Sequence, residues 1–400
     1  MKVTPDMTQE ISQRNPIVEV LADYGVTPRY DGKALCPFHE EDGPSFMVYS
    51  DTNTYHCYGC GAGSKGKTLR HKDGTESVDA GSDVIGFIMN IENVSFPEAC
   101  KILMRRSGMK IPDDKIDAAA ERAKDAVMDR NRRFYNALMK NQDVLDYIAE
   151  RGMDITDIKK WRLGWVPQSE PGGNRGRLVF SIMEHHYKPE LAKSIALAYR
   201  KLDPNDNGPK YRNDPHSNVY NKSQVLYGMA HAAPNIRKKR YAIAMEGYVD
   251  VILAHKVGLD NSVATCGTSF TDEQVALLRR YTDQLFLWYD GDDAGQNAAF
   301  RALPDLLKAG FTVMIVKSRG EDPAEVIQRV GKDAIVDYIM ANSFNAVQLM
   351  IDEECTRIEA ILNKERTKAL NKLLPIVNAI QKPAEKYNYD GVIRKRLGLG

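Results

Sequence analysis

Apolar and polar positions alternate most regularly in the second half of this chain. Residues 241–245, 262–265, 285–289 and 312–316 are short apolar runs, the length of strands rather than helices. Between them, 248–257, 272–281 and 294–309 carry the longer pattern of helices. Strands that alternate with helices predict a parallel sheet with helices packed on it. Residues 344–399 read as helical only, interrupted at Pro375 and Pro383.

The first half is less uniform. Residues 11–24 predict a short helix, and 34–60 alternate polar with aromatic residues, as short strands do. Helix returns over 83–109, with Pro97 at a helix start, and over a charged, Ala-rich linker at 113–139. Residues 146–160 predict a further helix and 175–182 a strand. The segment 203–221 is rich in Asp, Asn, Pro and Gly and predicts a long loop, a length that usually marks function.

Composition narrows the class. A chain of 400 residues predicts two or three domains, and 43% hydrophobic with 27% charged residues is a soluble globular composition. No apolar run reaches the ~18 residues of a membrane span, and residues 1–16 lack a signal core, so a cytoplasmic protein is expected. Fifty-five basic and 54 acidic residues leave a net charge of +1. Any nucleic-acid surface must therefore be a local basic patch.

Of six cysteines, Cys36, Cys57 and Cys60 crowd into one region with His39, while Cys100, Cys266 and Cys355 are scattered and read as buried apolar residues. The spacing is Cys36-x2-His39, 17 residues, then Cys57-x2-Cys60. Two such pairs close a tetrahedron around one structural Zn²⁺, with no open position for catalysis. His56 adjoins Cys57, so on a strand it faces the opposite way. Phe38, Phe46, Tyr49, Tyr55 and Tyr58 surround the ligands. Such rings either stack on bases of single-stranded DNA or form the core of the small domain, and core is the expectation for any one ring.

Residues 61–68 match the phosphate-loop pattern G-x4-G-K-[ST]. A zinc knuckle precedes them where a buried strand is required, and 69–82 reads as a flexible loop where a helix is required, so a nucleotide site is not expected. The charges of Lys65, Lys67, Arg70, His71 and Lys72 fit a solvated loop.

Carboxylates gather at the ends of two predicted strands: Glu246 with Asp250 beyond it, and Asp290 with Asp292. Ligands of open α/β sheets bind beyond the carboxyl ends of the strands. Converging carboxylates repel unless a cation joins them, and hard oxygen ligands suit Mg²⁺ or Mn²⁺. That is the apparatus of phosphoryl transfer. Asp272 and Asp293 read instead as helix caps. Upstream, Arg175, Arg177, Arg200, Lys201, Lys210, Arg212 and Lys222 supply cations for phosphates, and 237–240 a solvated basic turn.

With these motifs the chain resembles the DnaG-type primases of bacteria and phages. Cys36-Pro37-Phe38-His39, Pro44-Ser45-Phe46 and 56–61 resemble that family's zinc-binding domain, and 82–87 its next helix. Arg151-Gly152 and 162–165 resemble the start of its RNA polymerase domain. Residues 246–250, Gly267-Thr268, 290–295 and 320–323 resemble the motifs of its TOPRIM fold.

The resemblance implies a multidomain α/β protein: a zinc-ribbon domain, then an α+β and TOPRIM polymerase core, then a helical end. The corresponding divisions are 1–108 for zinc and DNA recognition, 109–130 as linker, 131–235 as the start of the polymerase domain, 236–342 as TOPRIM and 343–400 as the helical part. It implies RNA primer synthesis from ribonucleoside triphosphates on single-stranded DNA. Glu246, Asp290 and Asp292 would be catalytic, and Asp250 and Asp322 would join them on Mg²⁺ or Mn²⁺. Arg177, Arg200, Lys210 and Lys222 would bind template and nucleotide. A replicative helicase and a single-stranded DNA-binding protein are the implied partners.

Departures are an insertion at about 63–81, Ala324 where a second acid often follows the proline, and no separate helicase-binding domain after 399. The last predicts either a shortened chain or another way of recruiting a helicase. The alternatives are a non-catalytic single-stranded DNA-binding scaffold and a type IA topoisomerase. The intact acids oppose the first, and the lack of room for a tyrosine-bearing domain opposes the second.

Overall fold

A computed structural model describes residues 3–39, 41–70, 76–92, 94–109, 111, 115–186, 189–267, 269–358 and 363–397. His71, Lys72, Thr268 and Leu399 lie outside the described residues. The chain forms two compact units, Met1–Ala119 and Ala120–Gly400.

The first unit begins with α1 (Pro5–Gln13) and α2 (Ile17–Asp23). One helix was expected there. Pro16 divides it, because the residue before a proline is pushed out of the helical region. A three-stranded antiparallel sheet follows, of β1 (Lys33–Ala34), β2 (Phe46–Tyr49) and β3 (Thr54–Cys57). Where a loop was expected in the insertion, β4 (Thr68–Arg70) and β5 (Glu76–Val78) pair antiparallel among the described residues. The buried Asp79 anchors its base. Its carboxylate accepts from the amides of Gly63 at 2.7 Å, Ser64 at 3.2 Å and Gly81 at 2.8 Å, and from Asn90 Nδ2 at 3.1 Å. The glycine-rich amides thus surround a carboxylate of the chain itself, and a strand follows them, so no phosphate loop forms. Helices α3 (Val84–Glu92) and α4 (Phe96–Arg106) complete the unit, with Pro97 in the first turn of α4 as expected.

Helix α5 (Lys115–Leu138) leads into the second unit. The expected helix at 146–160 is two, α6 (Gln142–Glu150) and α7 (Ile155–Lys160), because Gly152 takes a left-handed φ of +82° that ends the first. An antiparallel sheet follows in the order β6 (Gly164–Trp165), β7 (Leu178–Met183), β8 (Ser194–Arg200), β9 (Tyr211–Asn213). Strand β9 sits inside the segment expected as one long loop. After α8 (Met229–Lys239) comes the alternating region: β10 (Ala242–Met245), α9 (Tyr248–Lys256), β11 (Ser262–Ala264), α10 (Asp272–Arg279), β12 (Gln284–Leu287), α11 (Asp293–Lys308), β13 (Thr312–Val316), α12 (Pro323–Val330) and α13 (Ile335–Ala341).

The sheet order is β11-β10-β12-β13, all parallel, closed by an antiparallel β14 (Ser343–Asn345) where only helix was expected. Helices α14 (Ala346–Ile358), α15 (Asn363–Ala379) and α16 (Pro383–Leu397) follow. Pro375 lies inside α15 rather than interrupting it. Burial of Leu373, Ile376 and Val377 along that helix offsets the lost backbone hydrogen bond. Among the described residues no helix is long and apolar enough to cross a membrane.

Candidate active site and zinc centre

In the first unit the ligand atoms of Cys36, His39, Cys57 and Cys60 all lie within 4.8 Å of one another. Cys36 Sγ is 3.8 Å from Cys60 Sγ, and Cys57 Sγ is 3.7 Å from His39 Nδ1. A tetrahedron with ligands about 2.3 Å from zinc has edges of roughly 3.8 Å, so the cluster fits Zn²⁺. His39 Nε2, the other ring nitrogen, lies 3.2 Å from Glu41 Oε2, which fixes the ring for ligation through Nδ1. Glu41 also accepts from the Cys36 amide at 2.7 Å. Spacing alone did not reveal it. His56 pairs with Met47 and takes the strand face opposite Cys57, as expected. The rings divide. Phe38, Phe46 and Tyr55 form the core, with Phe46 and Tyr55 stacked at 4.9 Å. Tyr49 and Tyr58 are exposed, Tyr58 at 69%, and their hydroxyls meet at 2.8 Å.

In the second unit, neighbouring parallel strands release their loops at one edge of the sheet. Glu246 follows β10, and Asp250 lies in the first turn of α9. After β12 the chain continues through Trp288, whose Nε1 donates to Ser318 Oγ at 2.7 Å, to Asp290 and Asp292. After β13 comes Asp322. Close packing holds the loops together. A side chain at Gly247 would collide with Asp250 Oδ2, and a Cβ at Gly291 would lie 2.6 Å from the Glu321 carbonyl oxygen.

Electrostatics report the same convergence. Burial and repulsion from Asp290 and Asp322 push Asp250 up to about 7. Burial and Asp290 push Glu246 above its usual range, and burial and Asp322 do the same to Asp290. Glu246 Oε1 is buried with no hydrogen-bond partner. A buried acceptor without a donor, among acids that raise one another, is the donor set a hard divalent cation satisfies.

Asp292 and Asp322 have a second task. Asp292 Oδ1 caps α11 through the Gly295 amide at 2.8 Å, and Asp322 Oδ1 caps α12 through Glu325 at 2.8 Å. Asp272 and Asp293, expected as caps, sit in first turns; Thr271 and Asp292 are the caps.

The basic residues separate. Lys210 is exposed, and its charge is near enough to Asp250 and Asp290 to oppose part of the rise in both. Arg177 is only 1% exposed; it pairs with Asp206 and donates from Nη1 to the Pro209 carbonyl at 2.9 Å. Arg200, 8% exposed, donates to Tyr211 Oη at 3.2 Å. Both guanidiniums are turned inward, because the segment around β9 folds over them. Lys222 Nζ lies 3.4 Å from the Gly267 carbonyl, beside the loop after β11. Asn213 ties that loop to α9: its Nδ2 donates to the Cys266 carbonyl at 3.0 Å and its Oδ1 accepts from Tyr248 Oη at 2.9 Å. Nothing in the sequence singled out Asn213, since an Asn in a polar stretch has no pattern of its own.

Comparison with known proteins finds matches over the regions of both centres. A CHC2 zinc finger model matches residues 3–80, and a Toprim-like model matches 243–327. The DNA primase of Clostridium acetobutylicum is 30% identical over 438 aligned positions, which cover 99% of this chain and 68% of that protein. This chain belongs to the DnaG-type DNA primase family. The DNA primase of Aquifex aeolicus is 32% identical, over 82% of this chain and 67% of its own length. The primase therefore spans about two thirds of these relatives. The crystal structure of the zinc-binding and RNA polymerase domains of the Aquifex aeolicus primase superposes with a TM-score of 0.60 at 27% identity, covering 98% of this chain and 97% of that one. A primase domain from Pseudomonas aeruginosa, 23% identical over 70% of this chain and 97% of its own, shares the fold with a TM-score of 0.61.

Proposed function

We propose that this primase makes RNA primers at the acids of its parallel sheet, with Glu246, Asp250 and Asp290 holding Mg²⁺ or Mn²⁺. The remaining oxygens of Asp292 and Asp322 complete the set. The observation that carries the assignment is the orphaned Glu246 oxygen among carboxyls that burial and mutual repulsion push up. Bound there, the cations would neutralise the triphosphate and favour an ionised 3′-hydroxyl. Lys210, its charge near the acids, binds nucleotide phosphates, and Lys222 supports the neighbouring loop. Arg200 acts from beneath, through its bond to Tyr211, and Arg177 binds phosphate beside the same segment. On the zinc unit, the exposed Tyr49 and Tyr58 offer stacking faces to bases of single-stranded DNA. Family membership further implies a replicative helicase and a single-stranded DNA-binding protein as partners.

The test is primer synthesis on single-stranded DNA with labelled ribonucleotides and Mg²⁺ or Mn²⁺. Asp290→Ala is expected to lower the rate by on the order of 10²-fold or more. An Asp290→Ala protein as active as the wild type would overturn the assignment.

A further inference from the structure

The segment between β8 and β9 carries a carboxylate where an anion is expected. Arg177 is almost completely buried, yet the chain within reach of it is largely exposed. Asp203, Asn205, Asn207, Pro209 and Lys210 face solvent. From this exposed turn Asp206 points inward and pairs with Arg177 Nη2. Gly208 lies between: a side chain there would strike the guanidiniums of both Arg212 and Arg177. Arg212 is itself aimed by its Nη1 bond to the Gly173 carbonyl at 2.6 Å. The Gly208 amide, 2.7 Å from Asp206 Oδ1, and the charges of Arg177 and Arg212 hold the Asp206 carboxyl below its usual range.

A guanidinium and a backbone amide holding one oxyanion, with the Arg212 guanidinium beside Gly208, form a seat for a phosphate group. The Arg177 guanidinium also keeps a buried Nε without a hydrogen-bond partner. Two residues beyond Gly208 comes Lys210, whose charge is near enough to favour ionised Asp250 and Asp290. The seat therefore adjoins the acidic site along the same short segment.

We propose that Asp206 is an intramolecular stand-in for a phosphate, and that a phosphate chain entering the active site displaces it from Arg177, with Arg212 close beside. The inference rests on the polymerase reading above. The free protein spends part of its time with the seat filled by its own carboxylate. The apparent affinity for phosphate is reduced by the fraction of molecules so closed. Asp206 thereby sets how readily substrate engages, and it is not itself a catalytic residue.

Asp206→Asn separates this role from a merely structural one. The amide keeps an oxygen for the Gly208 N–H and loses the charge that competes with phosphate. Asp203→Asn, on the same turn, makes the same change in net charge away from the arginines. Inorganic tripolyphosphate and a single-stranded oligothymidylate are titrated by calorimetry into each 400-residue protein without divalent cation.

Asp206→Asn is expected to bind one of these about threefold or more tightly than both wild type and Asp203→Asn, by removing the closed fraction. A gain for tripolyphosphate identifies the nucleotide's phosphates as the occupant, and a gain for the oligothymidylate identifies the template backbone. Weaker binding of both ligands shows that Asp206 is only a strut for the turn. Equal gains in Asp206→Asn and Asp203→Asn show a general charge effect. Unchanged binding shows no competition. Each of these three results overturns the proposal. Primer synthesis by the wild type is scored in parallel: its absence counts against the polymerase reading and leaves the binding comparison to stand by itself.

Discussion

The glycine at 291 offers a direct test of how the acidic site is assembled. Gly291 sits between Asp290 and Asp292, and its amide donates to the Glu321 carbonyl at 3.1 Å. In Gly291→Ala the new Cβ would lie 2.6 Å from that oxygen, 2.7 Å from the Gly320 nitrogen and 2.9 Å from the Glu321 nitrogen. All are backbone atoms, so no side chain can swing aside. Ordinary contact begins near 3.4 Å, and the loops carrying Asp290 and Asp322 must therefore part by about 0.8 Å. Gly291 has no left-handed φ, so the cost is steric rather than conformational.

Overpacking of this kind costs about 1–3 kcal/mol and lowers Tm by a few degrees in a unit of this size. The effect on chemistry is larger, because displacing reacting groups by about 1 Å costs up to ~10²-fold in rate. Primer synthesis, Tm and the Mg²⁺ or Mn²⁺ concentration for half-maximal rate would be measured together. The expected result is a modest loss of stability, a rate lower by about ten- to a hundredfold, and a higher metal requirement. Gly391→Ala is the control, since its Cβ meets nothing within 4 Å and it lies in helix α16. A Gly291→Ala enzyme with wild-type rate and metal dependence would refute the close packing of these loops as the source of the site's geometry.

Three further outcomes are expected. Burial, with the Lys160 charge next, depresses His255 to about 3, so its neutral form stabilises the fold fully above its unfolded value of 6.5. That stability is lost as pH falls from 6.5 toward 3, on the order of a few kcal/mol, so His255→Gln should flatten the acid limb of an unfolding curve. Equal slopes in the two proteins would count against it. Cys57→Ser should reduce the zinc content from one ion per chain, read by atomic absorption, and lower the stability of the first unit; full zinc occupancy would exclude the proposed tetrahedron. Tyr58→Ala should weaken binding of single-stranded DNA by about tenfold through loss of a stacking face. Tyr55→Phe, altering a ring of the core, should leave that binding unchanged, and equal effects would contradict the division of the rings.

What could be read from the sequence was whatever depends on spacing along the chain. Two close pairs of ligands fix the zinc tetrahedron because the chain must turn within each pair. Short apolar runs alternating with amphipathic ones determine a parallel sheet, and acids just after such runs fall at its ligand-binding edge.

Tertiary structure decided what depends on burial. Phe46 and Tyr58 are equivalent as letters, yet one is core and the other faces solvent. Arg177 and Lys210 are both cations upstream of the acids. One is covered by the turn holding Asp206, while the other is exposed with its charge acting on Asp250 and Asp290. Next to the paired strands of the insertion, Asp79 collects amides from residues on both of its sides, a coincidence of position that no periodicity encodes. Burial is a collective property of the packed chain, set by contacts between residues far apart in sequence, and so it had to await the fold.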